Sequence, residues 1–360
     1  MTPLAAARVE RARAAMERAG LPALLITRIE NVGWLTGFTG TNGFVLLTAD
    51  RAVFATDSRY TQQAAQQCPG FEQTLLATSA AEEITEVLAK AGVPRIGFEA
   101  AHLTVDLHRK YREKLPAAIE LVPTTGLIDD LRMVKDPGEI ALLEEACALT
   151  DRAFQHILLF LKPGAVERDI ALELEWHIRR DLGAENAFDI IVASGPRSAL
   201  PHGKASDRAL RQGDLVTLDF GARVGGYCAD ITRTVVIGRA TDEQKKVHGI
   251  VLDALARAIE SIRPGAAGRD VDAVARTLIR DAGYGDYFGH GLGHSLGRTV
   301  HDGQAFSVRS EVTLAERMVV TVEPGIYIPE WGGVRVEDDV LVEAGGARVL
   351  TRSPRDLLEL

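Results

Sequence analysis

The stretch Val216–Thr234, VTLDFGARVGGYCADITRT, places Asp219 behind Val216 and Leu218 and Asp230 ahead of the run ITRTVVIG. Both flanks read as strands, with a glycine-bearing turn between them. Burying an unpaired carboxylate is costly, so two of them in one hairpin call for a positive partner. Centring the turn on Val224–Gly225, as a two-residue loop or as the four-residue loop Arg223–Gly226, puts Asp219 opposite Asp230, with Cβ atoms about 4.5–5.5 Å apart. Like charges that close push one pKa upward unless a cation replaces the missing proton. Taken alone, the hairpin reads equally well as a solvated turn carrying two acidic residues by chance.

A second segment, MVVTVEPGIYIPEWGGVRVEDDVLV over 318–342, repeats the design. Glu323 ends an apolar run, a turn marked by proline and glycine follows, and Glu337 lies in the returning strand. An odd-membered loop centred on Glu330 places these two acids face to face. Four carboxylates on two hairpins supply hard oxygen ligands, suited to a pair of divalent ions about 3.5–4 Å apart. A softer ligand is available between them, in YFGHGLGHSLGRTVHDG over 287–303, which holds His290, His294 and His301. Glycine at this density argues for backbone bent closely around something rather than for a helix with two zinc-binding histidines. His202, between Pro201 and Gly203, is a further candidate.

In this order, the motifs ALPHG, LDFGARVGGYCADITRT, GHGLGHSLG, VHD, TVEPGIYI and VRVEDD resemble the pita-bread metallopeptidases. That superfamily contains prolidase, aminopeptidase P, methionine aminopeptidase and creatinase. NVGWLTGFTGTNG and TDSRYTQQA in the first part of the chain resemble the N-terminal domain of its proline-specific branch. The resemblance implies that Asp219, Asp230, His294, Glu323 and Glu337 ligate two divalent metal ions, with Asp230 and Glu337 bridging. Oxygen-rich ligation with one histidine suits manganese, while cobalt or zinc fit as well. A water held by two such ions is acidified towards neutral pKa and becomes a hydroxide nucleophile. The expected reaction is hydrolysis of peptide bonds to proline, as an Xaa-Pro dipeptidase or an aminopeptidase P. By the same resemblance Glu323 doubles as proton shuttle, His202 and His301 hydrogen-bond the substrate or the oxyanion, and Arg335 orients ligands. His290 is read as a substrate-pocket residue or a structural one, with Tyr327, Phe188 and Phe288 as further lining. Relatives with this N-terminal domain imply a homodimer in which that domain of one subunit approaches the active site of the other.

Two other classes are compatible with the fold: a creatinase-like amidinohydrolase without metal, and a binding module without activity. The five intact ligands speak against both. Where the family carries an aliphatic and then an acidic residue after the metal histidine, this chain has Arg298 and Thr299. Arg298 either anchors the C-terminal carboxylate of the substrate, giving a carboxypeptidase mode, or pairs with Asp302 or Glu330.

Composition fits an α/β chain of 360 residues in two domains. Residues 1–125 read as an N-terminal creatinase/prolidase-type α/β domain, from the strands ALLIT, GFVLLTA, AVFAT, RIGFEA and IELVPT and the helical runs SRYTQQAAQQ and AAEEITEVLAKAG between them. Residues 126–360 read as the catalytic domain, α+β and pseudo-twofold, opening on a long helix with Pro137 in its first turn. Sequence identity between its two halves is too weak to show the symmetry independently. A net charge of −9 speaks against nucleic acid and anionic membrane as partners. Three isolated cysteines without CxxC spacing fit a reducing, cytoplasmic setting. The first twenty residues read as an amphipathic helix ending at Gly20, not a signal peptide.

Overall fold

Short apolar runs separated by amphipathic helices build the first of two units, Met1–Arg132, in a computed structural model that describes residues 1–77, 81–303 and 306–360. Its strands are β1 Ala23–Ile26, β2 Phe44–Thr48, β3 Ala52–Asp57, β4 Glu72–Leu76, β5 Arg95–Glu99 and β6 Glu120–Thr124, in the order β4-β3-β2-β1-β5-β6. Only β2 among these runs antiparallel to its neighbours. The helices are α1 Pro3–Arg18, α2 Ile29–Thr36, α3 Thr61–Gln67, α4 Ala81–Ala89, α5 Val105–Lys114 and α6 Asp129–Met133. The first residue of AAEEITEVLAKAG, Ala80, lies outside the described residues, and α4 accounts for much of the rest. β4 has no counterpart in the sequence reading, because it is an edge strand with Leu76 alone buried and so shows no apolar run. The unit extends past the expected end at 125, since Ile128 is buried in its core.

The second unit, Met133–Leu360, is assembled from two similar halves. The first contains α7 Pro137–Ile157, α8 Glu167–Trp176 and the strands β7 Glu185–Asn186, β8 Ile191–Ser194, β9 Leu215–Phe220, β10 Ala222–Val224, β11 Tyr227–Cys228 and β12 Ile231–Val236. The second contains α9 Asp242–Ser261, α10 Gly268–Ile279 and the strands β13 Val319–Val322, β14 Gly325–Ile328, β15 Gly332–Arg335, β16 Asp338–Glu343 and β17 Gly346–Val349. Asp136 with Glu139, and Thr241 with Gln244, form reciprocal capping boxes that start α7 and α9. α8 and α10 each widen into a π-type turn, at 177–181 and 280–284. Each half contributes a three-stranded antiparallel sheet, β12-β9-β8 and β13-β16-β17.

The sequence does carry this symmetry, in short echoes. PGAVERDI at 163–170 answers PGAAGRDV at 264–271, and RDLGAENAF at 180–188 answers RDAGYGDYF at 280–288. The shared glycines hold equivalent backbone: φ is 88° at Gly164 and 87° at Gly265, 68° at Gly183 and 90° at Gly283.

The two carboxylate hairpins differ in how they meet expectation. In the first, the turn is Gly225–Gly226 rather than Val224–Gly225, both glycines having positive φ as a primed two-residue turn requires. The register therefore moves by two: Asp219 faces Thr232, and Asp230 lies diagonal to Asp219 instead of opposite. A shift of two preserves the side-chain alternation, so both acids still point to the same face. In the second hairpin, a three-residue loop around Glu330 joins β14 to β15, with Gly325 paired to Arg335 and Val322 to Asp338. That register places Glu323 opposite Glu337.

Candidate metal centre

Both hairpins end in breaks of their strands, and the carboxylates sit at the breaks. At the first, a Cβ on Gly221 would lie 1.8 Å from the carbonyl oxygen of Ala229, so only glycine lets the chain reach Asp230 from β11 in this way. At the second, Glu323 follows β13 and Glu337 precedes β16. The glycine-rich loop packs on the same break: Glu323 N–H donates to Leu292 O, and Thr321 N–H donates to His294 O. Thr321 Oγ1 in turn accepts the N–H of His294 at 3.0 Å. A Cβ on Gly293 would lie 2.1 Å from Thr321 O, which explains a glycine directly before the histidine.

These elements close a cavity of about 290 Å³ lined by Asp219, Asp230, His294, Glu323 and Glu337 together with His202, His290, His301 and Arg335. Phe188, Ile191 and Val300 supply much of its apolar wall. Ligating atoms of Asp230, His294 and Glu337 all lie within 4.8 Å of one another. His294 Nδ1 faces the carbonyl of Ser295 at 3.2 Å and so carries the hydrogen. Its Nε2 lone pair is left towards Asp230 Oδ2, 3.6 Å away, and Glu323 Oε1, 3.7 Å away. Burial holds this imidazole pKa down to about 4, and hence the ring neutral at pH 7.

The carboxylates are in the opposite situation. Desolvation, then repulsion from Glu337 and Asp219, holds Asp230 well above the usual carboxylate range. Desolvation and Glu337 do the same to Glu323, while desolvation and Asp219 bring Glu337 to about 7. Desolvation also raises Asp219, with Arg335 working against it. Asp219 Oδ1 and Asp230 Oδ1 are buried and find no hydrogen-bond partner among the described residues. Crowded, dehydrated carboxylate oxygens without donors beside a neutral imidazole lone pair are the donor set of a hard or borderline divalent cation. The residues fit such an ion.

Around the ligands the structure adds a hydrogen-bonded frame. Arg335, 3% exposed, donates from Nη2 to Asp219 Oδ2 (2.6 Å), from Nε to Thr232 Oγ1 (2.9 Å), and from Nη1 to Tyr327 OH (2.9 Å) and Pro201 O (3.1 Å). The Thr232 hydroxyl in turn donates to Glu337 Oε2 at 2.6 Å. Asp339 Oδ2 accepts the N–H of Asp230 and the thiol of Cys147. His290 donates from Nδ1 to Gly291 O and therefore accepts at Nε2 from the Tyr327 hydroxyl. His290 thus lines the cavity with both ring nitrogens hydrogen-bonded within the protein. His202 and His301 are exposed, His301 with its ring 4.3 Å from that of His294.

Arg298 is not among the residues lining the cavity. Its guanidinium lies over the ring of Tyr227, 5.4 Å from the centroid, beside Gly226. Asp302, one of its two expected partners, is 3.6 Å from Lys135 and accepts from Thr299 Oγ1. Phe288 is buried in the core and Phe188 reaches the cavity. Thr232, Thr321 and Asp339 were not singled out from sequence, and Tyr327 only as lining. Alternation was the available signal: Thr232 is two residues from Asp230, and Thr321 and Tyr327 share parity with Glu323.

The chain matches known proteins over nearly its whole length. Residues 141–344 match the model of metallopeptidase family M24, and residues 8–134 match the creatinase/prolidase N-terminal domain. An Xaa-Pro dipeptidase from Pyrococcus furiosus is 36% identical over 98% of this chain and 99% of its own. The solved structure of an Xaa-Pro dipeptidase from Bacillus anthracis superposes with a TM-score of 0.95 at 44% identity, covering 99% of this chain and 100% of that one. An X-Pro aminopeptidase structure from Thermotoga maritima gives 0.87 at 39% identity, over 96% of this chain and 100% of that one.

Proposed function

Because the chain belongs to metallopeptidase family M24, we propose that it hydrolyses the bond between a residue and a following proline in short peptides, with two divalent cations held by Asp219, Asp230, His294, Glu323 and Glu337. The observation that carries this reading is the convergence of four dehydrated carboxylates and one neutral imidazole on a single cavity. Bound there, divalent cations supply Lewis-acid polarisation of the scissile carbonyl and lower the pKa of a coordinated water.

This chain's residues do the rest. Glu323, on the cavity wall, carries a proton to the departing imide nitrogen. His202 and His301, exposed on the cavity, hydrogen-bond the substrate carbonyl and the oxyanion that develops from it. Arg335 holds Asp219 in place. Phe188, Ile191 and Val300 offer an apolar wall to the pyrrolidine ring, which has no N–H to satisfy. Manganese is the cation best suited to this oxygen-rich set. Three free, buried cysteines support a reducing cytoplasmic setting, and the resemblance to the proline-specific branch implies a homodimer.

Metal-stripped protein reconstituted with manganese, cobalt or zinc and offered Xaa-Pro, Xaa-Pro-Xaa and longer peptides tests the reading. Cleavage before proline that depends on added metal is expected, and the peptide lengths accepted divide dipeptidase from aminopeptidase. Asp230→Ala should abolish turnover and lower metal content. Near-normal activity in that variant would sink the reading.

A further inference from the structure

Beyond the cavity, one guanidinium ties the backbone of the centre to a distant part of the chain. Arg233, on β12 and 2% exposed, has five N–H donors and uses them all. Nε reaches Pro354 O at 2.8 Å, and Nη1 reaches Thr232 O at 2.9 Å and Glu337 O at 2.5 Å. Nη2 reaches Asp338 Oδ1 at 2.8 Å and Ser353 O at 2.9 Å. Thr232 is the residue whose hydroxyl orients Glu337, and Glu337 is the candidate ligand itself. The same fork therefore grips the main chain of both partners and that of the segment following β17.

That segment is fastened from its other side as well. Asp151 on α7 accepts the N–H groups of Arg352 and Ser353, each at 2.8 Å, and the Ser353 hydroxyl at 2.6 Å. Thr351 Oγ1 donates to Asp338 Oδ1 at 2.7 Å, and Leu350 N–H donates to Asp339 O at 2.8 Å. Arg355 Nε stands 2.6 Å from Asp338 Oδ2, in an orientation that makes an ion pair without an aligned hydrogen bond. A segment that merely covered apolar surface would not need buried charges at each fastening. Here Asp338 and Asp339, next to Glu337, take the fastenings on one side, and Asp151 takes those on the other.

We propose that Arg233 is a positioning residue for Glu337 and that Thr351–Arg355 completes it as a strap, so that docking of this segment and cation binding at the centre stabilise one another. The proposal rests on the metal-binding reading above. A planar fork with fixed donor directions sets a backbone more tightly than a lysine ammonium would. Metal affinity is sensitive to groups that orient ligands without touching the metal, typically 10–100-fold. Coupling of this kind is reciprocal: whatever factor the strap contributes to cation affinity, the cation returns to strap docking.

The test uses the full chain and manganese(II) as the probe. Its dissociation constant is measured by chelator competition in wild type, Arg233→Lys, Asp151→Asn and Lys245→Ala. Hydrogen exchange at the amides of residues 352 and 353 is followed with and without manganese. Arg233→Lys and Asp151→Asn should weaken binding roughly 10–100-fold, and manganese should slow exchange at both amides in wild type. Lys245→Ala, which breaks only the exposed pair with Glu359 further along the segment, should change neither. Asp151→Asn leaves every candidate ligand and Arg233 in place, so it decides the matter if Arg233→Lys fails to fold. Wild-type manganese affinity in a folded Asp151→Asn, or exchange at 352 and 353 indifferent to bound manganese, would overturn the strap alone. A wild type that binds no divalent cation would remove the metal reading and the strap with it.

Discussion

Removing the hydroxyl of Tyr327 tests the hydrogen-bonded run that starts at His290 and ends on Asp219. Tyr327→Phe keeps the ring and its packing but leaves Arg335 Nη1 and His290 Nε2 each one partner short. We expect kcat/KM to fall about 10–100-fold, with the folded state retained, as for other groups that orient metal ligands. Unchanged kinetics would show that Arg335 holds Asp219 without help. Two glycines make a sharper contrast. At Gly293 a Cβ meets Thr321 O at 2.1 Å, whereas at Gly249, inside α9, it meets nothing within 4 Å. Denaturant titration should show Gly293→Ala destabilised by roughly 1–3 kcal/mol or more and Gly249→Ala stabilised by about 0.5–1 kcal/mol. The four clustered carboxylates were legible because an acid in a β-branched run is conspicuous wherever the chain folds, whereas His294 was picked from its neighbours only by the family resemblance. Thr232, Asp339 and Arg233 were not legible, because an ordinary strand residue acquires a role only from partners more than a hundred positions away.

Among elements, the hairpins show what pattern reading resolves. Side-chain alternation decided that Asp219 and Asp230 share a face, and that survived a register shifted by two. Turn chemistry decided the register, and two adjacent glycines with positive φ outweighed the symmetric centring that would have opposed the acids. Helix α9 carries a pH prediction that involves none of the candidate ligands. His248 is buried, 4% exposed, with Nε2 unpartnered, and desolvation lowers its pKa to about 4. The unfolded chain, titrating near 6.5, takes up this proton first as pH falls. The stabilisation is therefore complete above pH 6.5 and is lost as pH drops through that value towards 4, an effect on the order of 2–3 kcal/mol. Thermal unfolding followed from pH 7 to 4 should show a shallower loss for His248→Gln than for wild type. Parallel curves would mean that the imidazole titrates normally.

At the scale of the whole chain, all five candidate ligands lie in Met133–Leu360 and none in Met1–Arg132. Manganese at about 100 times its Kd should stabilise the fold that binds it by roughly 2.7 kcal/mol. Hydrogen exchange should locate that gain in β9, β12 and β13–β16. Protection rising equally in β1–β6 would contradict a centre confined to the second unit. No helix among the described residues is long and apolar enough to cross a membrane. Light scattering at micromolar concentration decides the expected homodimer, and a monomer there would exclude it.

The pairing of like halves has a consequence for assembly. Asp219 and Asp230 come from the first half, and His294, Glu323 and Glu337 come from the second, with the short connection 237–241 between them. Neither half alone offers a complete set of donors, so the connection acts as a tether that sets the effective concentration of one partial site for the other. Cutting the chain at Arg239–Ala240, where Arg239 is exposed, would turn an intramolecular affinity into a bimolecular one. Divalent cations would then act as the glue of a two-piece protein, and recovery of activity on mixing the pieces would follow protein concentration as well as metal concentration.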